Sequence, residues 1–214
     1  MNAPEVTIID YGVGNLLSVQ RGFEHCGAKV ILSANPEKIL AAQRVVLPGV
    51  GAFGNGIQAL KALQLVHVIQ EIAESGTPLL GICLGMQLLL EHSEEFGSSN
   101  GLALIPGHVT AIPDLSTSGE SLKIPHIGWN KIFPPKQTDW HGTLLSGNQP
   151  DDAMYFVHSF MANPDDNKYR LAECTYGGYQ IAAVIRHDNI MGCQFHPEKS
   201  GEHGLKVLRQ FIEL

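Results

Sequence analysis

Basic residues are few and never clustered. The 14 lysines and arginines stand against 21 aspartates and glutamates, for a formal net charge of -7 at pH 7. A nucleic-acid partner is held by a basic face that displaces phosphate counterions, so that class of function is excluded. Long hydrophobic runs are also missing. The longest, Pro78 to Leu90, is broken by Gly81, Gly85 and Gln87. It falls short of the roughly 20 apolar residues that span a bilayer, so no membrane segment is expected. Met1 to Glu5 carry no basic segment ahead of an apolar stretch, which argues against a secretory leader. The four cysteines, Cys26, Cys83, Cys174 and Cys193, are scattered without a pairing framework. A reduced, cytoplasmic setting is the simpler expectation.

What is present describes a globular protein. Hydrophobic residues make up 44% of the 214 and charged residues 16%, a balance unlike that of disordered chains. The length suits one domain, residues 1–214, that buries its core without disulfides or a structural metal. The 23 glycines exceed what a helical bundle uses and imply many sharp turns.

Along the first half, apolar strands alternate with amphipathic helices. Strands are expected at 6–9, 29–32, 44–47 and 78–82. Helices are expected at 16–26, 57–63, 66–74 and 84–91, with Asn15 as a cap, Gly27 as a stop and Asn35-Pro36 as a further helix start. Continuous apolar strands with helical crossovers imply an α/β fold, a mostly parallel sheet with helices on both faces. Ligands of such folds bind beyond the carboxyl ends of the strands. That edge should carry Asp10-Tyr11, Pro48–Gly51 and Cys83. The second half is more antiparallel in flavour. Its strands are expected at 101–112, 123–133, 154–160, 169–175, 181–186 and 190–194, with a hairpin turn at Asp188-Asn189 and a final helix at 202–212.

Three features carry chemistry. Gly81-Ile82-Cys83-Leu84-Gly85 lies between an apolar strand and a helix, the setting of a nucleophile elbow. A helix N-terminus favours a thiolate, and the Leu84 N–H would face an oxyanion. A structural cysteine in a close glycine turn fits these five residues equally well. In Gln194-Phe195-His196-Pro197-Glu198, a histidine just past a strand end has a carboxylate two residues on to fix its tautomer. An ordinary loop histidine is the alternative. Cys193 and His196 could form half a metal site, but no second close-spaced pair accompanies them, so no metal is expected. Gly49-Val50-Gly51-Ala52-Phe53-Gly54 matches a dinucleotide fingerprint, with Glu71 and Glu74 near the distance of a ribose-binding acid. It follows the third strand, not the first, and both acids lie inside a helix. Backbone N–H groups of Gly49, Val50 and Gly51 completing an oxyanion hole beside Cys83 is the other reading.

Taken together, Pro48–Gly51, Gly81–Gln87 and Phe195–Lys199 resemble class I, triad-type glutamine amidotransferases. Asp10–Leu16, Pro125–Asn130 and Tyr155–Ser159 narrow the resemblance to the glutaminase subunits of imidazole glycerol phosphate synthases, and it covers essentially the whole chain. The resemblance implies a three-layer fold, no cofactor, and glutamine hydrolysis with Cys83 as nucleophile, His196 as acid and base, and Glu198 orienting His196. It implies an oxyanion hole from Leu84 and the Gly49–Gly51 loop, which would act as a switch. Gln87 and Glu95 match glutamine-binding positions, Glu95 pairing with the α-ammonium. They also read as a polar helix-face residue and one of a solvated acidic pair, Glu94-Glu95. The implied partner is a (β/α)8-barrel synthase subunit that receives the ammonia and makes imidazole glycerol phosphate and AICAR from PRFAR. Asn15, Trp129, Tyr155 and Lys199 match docking positions, although Trp129 read by itself is better taken as a core anchor. Pyridoxal phosphate synthase glutaminases share the triad, as would a paralogue with another ammonia acceptor. A non-catalytic dinucleotide module built on Gly49–Gly54 is the reading from a different class. The polar stretch 113–120 is longer than the family pattern suggests.

Overall fold

A computed structural model describes residues 3–136 and 138–214. The first half alternates strands and helices: β1 Glu5–Ile9, α1 Leu16–His25, β2 Lys29–Ser33, α2 Pro36–Leu40, β3 Val45–Gly49, α3 Phe53–Ala62, α4 Leu65–Glu74, β4 Leu79–Cys83 and α5 Leu84–Leu88. The second half adds β5 His92–Ser93, β6 Ser99–Asn100, β7 Gly107–Ala111, β8 His126–Lys131, β9 Ala153–His158, β10 Phe160–Pro164, β11 Arg170–Tyr176, β12 Tyr179–His187, β13 Ile190–Cys193 and α6 Gly201–Glu213.

Seven strands form the central sheet in the order β11-β12-β13-β4-β3-β1-β2. The pairs among β2, β1, β3, β4 and β13 are parallel, while β11 and β12 extend the sheet in antiparallel fashion. Successive strand residues face opposite sides. Val46, Leu80 and Ile82 accordingly join Phe23, Phe195 and Phe211 in one core, and Val45, Leu47 and Leu79 join Phe53, Leu60 and Ile69 in the other. Helix α6 seals the first core with Val207, Leu208, Phe211 and Ile212, a helical spacing that puts one apolar stripe inward. A four-stranded sheet, β10-β7-β5-β6, and the β8-β9 pair complete the molecule. No helix among the described residues is long and apolar enough to cross a membrane.

Several helix ends follow from local chemistry. The Asn35 side chain accepts from Lys38 N at 3.0 Å, with Pro36 opening α2. Gly27 at φ +88° lets α1 close, its N–H donating to Glu24 O and that of Ala28 to Phe23 O. Asn15 occupies the cap position of α1, but its side chain makes no capping hydrogen bond.

Three strand expectations need correction. Segment 101–112 is a strand only at β7. Residues 102–105 instead donate to the carbonyls of Leu88, Leu89 and Leu90. The same bonds take up the carbonyls at the end of α5, so that helix stops at Leu88 instead of Glu91. Residues 154–160 are two strands. Around Ser159 the chain leaves the β8 partner and β10 pairs with β7 in another sheet. The 123–133 strand contracts to β8. The polar stretch 113–120 folds back through a Leu115–Ser121 bridge and lies on the β11-β12 turn through Thr117 N to Gly177 O.

Candidate functional site

Three adjacent parallel strands, β3, β4 and β13, end on one edge of the sheet. Gly49 pairs with Cys83, and Cys193 pairs with Ile82. The two distant sequence features therefore meet because their strands are neighbours in register. Cys83 sits between β4 and α5 at φ 55°, ψ -110°, a conformation that a non-glycine residue holds only when its surroundings impose it. The imposition is visible. A Cβ on Gly81 would lie 2.6 Å from Gly85 O, and one on Gly85 would overlap Leu47 O. The glycines flanking the cysteine are thus required by backbone packing.

His196 follows β13, and its backbone N–H donates to Tyr155 O at 2.9 Å. Its Nδ1 lies 2.9 Å from Glu198 Oε1, with both side chains almost fully buried. The carboxylate oxygen accepts, so Nδ1 carries hydrogen and Nε2 is the working nitrogen. Nε2 is buried with no hydrogen-bond partner among the described residues. Burial lowers the pKa of this imidazole. Cys83 and Glu198 outweigh that effect and raise it from 6.5 to about 9.

The loop beside Cys83 is fastened from behind. Tyr11 Oη donates to Pro48 O at 2.7 Å, and burial pushes the Tyr11 phenol well above its usual range, keeping it a donor. A Cβ on Gly49 would lie 2.6 Å from Tyr11 Oη and 2.9 Å from Leu84 Cβ. Gly51, at φ +97°, turns the chain away from the strand, and Val50 is 42% exposed at the tip. Glycine at 49 is thus demanded by the protein's own packing. The N-terminus of α3 is already occupied, since Phe53 N donates to Glu95 Oε2 at 2.6 Å. A pyrophosphate would have to displace a carboxylate there, which removes the physical basis of the dinucleotide reading.

A cavity of about 370 Å³ opens over the cysteine, lined by Gly51, Cys83, Leu84, Gln87, Glu95, Phe160 and His196 among others. Gln87 lies one turn beyond Cys83, and its Nε2 donates to Phe160 O at 3.1 Å and to Gln194 Oε1 at 2.9 Å. Both amide hydrogens are spent, and Oε1 remains as its free acceptor. Glu95 is half-buried with its second oxygen uncommitted, while Glu94 is exposed.

The residues matched to a docking face lie outside this cavity. Trp129 is 59% exposed and meets Tyr155 edge-on at 6.0 Å. A core-anchor role for Trp129 is thereby ruled out. The buried tryptophan is Trp140, whose Nε1 donates to Leu171 O at 2.8 Å. Lys199 is exposed in the short turn after His196. Asn15 lines a small cleft with Pro48, Val50, His196 and Glu198.

Three polar residues near the site went unassigned at the sequence level. Gln194 is fully buried, with Nε2 3.8 Å from Cys83 Sγ. His126 and His158 form a buried pair at 3.0 Å, and burial lowers both to a pKa of about 4. The available signal was a glutamine between Cys193 and Phe195 at the end of an apolar strand, where a polar side chain needs a partner.

The comparisons with known proteins agree with this geometry. A family model described as Glutamine amidotransferase class-I matches residues 7–214. A Legionella pneumophila (strain Lens) protein, imidazole glycerol phosphate synthase subunit HisH 1, is 50% identical over 210 residues, 98% of this chain and 99% of that one. The HisH subunit of Sulfurimonas denitrificans is 45% identical over 97% of both chains. A crystal structure described as a glutamine amidotransferase matches with a TM-score of 0.72 at 13% identity, covering 97% of each chain, a likeness of fold alone. With the family model spanning nearly the whole sequence and the elbow, glycine loop and His-Glu pair meeting at one sheet edge, this chain belongs to the class-I glutamine amidotransferases.

Proposed function

We propose that the chain is the glutaminase subunit of an imidazole glycerol phosphate synthase. The observation that carries the reading is one cavity holding Cys83, the buried His196-Glu198 pair and the glycine loop. It is supported by curated relatives of that name at 45–50% identity over nearly full length.

The chemistry follows from the positions. The Cys83 thiolate adds to the glutamine carboxamide carbon, forming a C–S bond. The oxyanion is held by the Leu84 N–H and an N–H of Gly49, Val50 or Gly51. His196 gives its Nε2 proton to the departing nitrogen as the C–N bond breaks, releasing ammonia. The neutral imidazole then takes a proton from water, whose oxygen adds to the thioester. Collapse breaks the C–S bond, and glutamate leaves with the thiolate–imidazolium pair restored. Glu198 keeps the ring oriented throughout. Gln87 and Glu95 hold the substrate, with the free Glu95 oxygen available to its α-ammonium.

Ammonia passes to a (β/α)8-barrel synthase subunit that makes imidazole glycerol phosphate and AICAR from PRFAR. Trp129, Tyr155, Asn15 and Lys199 form the docking face, and the exposed Leu17 and Ile127 add apolar surface to it. All four cysteines are free, in keeping with a cytoplasmic setting. The test is glutamine turnover with and without the barrel subunit and its ligand. Cys83→Ala should abolish glutamine-dependent synthesis and leave ammonia-dependent synthesis intact. Loss of both would make Cys83 a structural residue.

A further inference from the structure

We infer that Gln194 is a further catalytic residue: its side-chain amide donates a hydrogen bond to the Cys83 sulfur, and a buried polar chain fixes the direction of that amide. The inference rests on Cys83 being the nucleophile.

The carbonyl of Phe160 can only accept. Two groups approach it, His158 Nδ1 at 2.8 Å and Gln87 Nε2 at 3.1 Å. Both must donate. Gln87 is thereby fixed, with its amide nitrogen toward Phe160. The same nitrogen lies 2.9 Å from the side chain of Gln194, so the Gln194 atom facing it must be the oxygen. The other end of the Gln194 amide is then the nitrogen, and it lies 3.8 Å from Cys83 Sγ. No rotation of this amide satisfies both neighbours in any other way.

The histidines hold the anchor. Because His158 Nδ1 donates, its Nε2 accepts, and His126 Nδ1 must donate to it across 3.0 Å. His126 Nε2 in turn faces Asn130 Nδ2 at 3.3 Å. Burial lowers both imidazoles to a pKa of about 4. They are therefore neutral near pH 7, as this donor sequence requires. The run of donors has one polarity, from Asn130 to Phe160 O on one side and from Gln87 through Gln194 to the sulfur on the other.

Gln194 is fully buried, so the amide meets the sulfur without competing water, where a donor to a developing charge counts most. It stabilises sulfur carrying negative charge, as when the thioester collapses.

The test uses Gln194→Met, similar in size but without a donor, and Gln194→Glu, which keeps the Gln87 contact and places an oxygen against the sulfur. Each is assayed in complex with the barrel subunit and its ligand. The readouts are kcat and KM for glutamine and the pH profile of iodoacetamide alkylation of Cys83. Gln194→Met should lower kcat by about 10- to 100-fold, the worth of a hydrogen bond to a charged group. KM should change little, and alkylation should move to higher pH. Gln194→Glu should lose more, since its carboxylate repels the thiolate. Unchanged kcat and alkylation in either variant overturns the inference, as does a raised KM with kcat preserved. Should Gln194→Met fail to fold, the isosteric Gln194→Glu decides alone. Failure of the underlying reading looks different: Cys83→Ala would then still hydrolyse glutamine.

Discussion

Replacing Cys83 by alanine probes the electrostatics of the site before any turnover is measured. His196 keeps its proton up to about pH 9, against an ordinary value of 6.5. That gap amounts to ~300-fold in proton affinity, or roughly 3 kcal/mol. Burial works against it, and the preference comes from the Cys83 sulfur and the Glu198 carboxylate together. Without the sulfur, one carboxylate is left to oppose the same burial. His196 in Cys83→Ala should therefore lose its proton at lower pH, with its proton affinity reduced by about 10-fold or more. The assay is a histidine-labelled NMR titration of both proteins, following the His196 ring. The sign is definite: the imidazolium persists to higher pH in the native chain. Identical titrations would show that the sulfur is not the source of the raised affinity. A native His196 titrating near 6.5 would dismiss the ion pair altogether. Glu198→Gln removes the other source and should also lower the titration.

In the proposed barrel complex, kcat/KM for glutamine should decline as pH rises through about 9, because the imidazolium that protonates the leaving nitrogen is lost there; a profile flat to pH 10 would refute that role for His196. Gly85→Ala drives a methyl group into the Leu47 carbonyl and should cost more than about 4 kcal/mol, seen as loss of soluble protein or of a cooperative thermal transition. A folded variant with an unchanged melting temperature would refute the packing argument. Trp129→Ala should leave the isolated chain's stability within about 0.5 kcal/mol, since the ring is largely exposed. It should weaken barrel binding by about 2 kcal/mol, as a buried aromatic anchor does, measurable by calorimetry. Unchanged affinity would remove Trp129 from the docking face.

The parallel half of the sheet was legible because its strands are apolar throughout and its turns carry glycine, asparagine and proline at informative positions. The elbow was legible for the same reason, since glycines two residues either side of a cysteine point to a turn without room. The boundaries near Leu90 and Gly101 were not. Carbonyls at the end of α5 are satisfied by a segment more than ten residues later in the chain, and no local pattern records that. The break at Ser159 likewise depends on which partner strand is near. Trp129 shows the limit from the other side. Composition favours burial for tryptophan, and only the fold reveals that a different one, Trp140, fills the core. Gln194 was visible as a polar residue in apolar company, yet its bearing on the sulfur needed Gln87 and Phe160 in place.

The order of strands also has a consequence for timing. The last strand made, β13, lies between β4 and β12 and joins the antiparallel end of the sheet to the parallel one. While a ribosome is still short of residue 190, the β4 edge has no partner there, and the β11-β12 hairpin cannot join the central sheet. A nascent chain of that length has Cys83 but not His196, and so no imidazole to set against the sulfur. Cys83 and His196 therefore cannot meet during translation of the first nine-tenths of the sequence. The β8-β9 pair that carries Trp129 and Tyr155 is complete in sequence by His158. The two aromatic residues of the proposed docking face are thus made before the histidine proposed to work with Cys83.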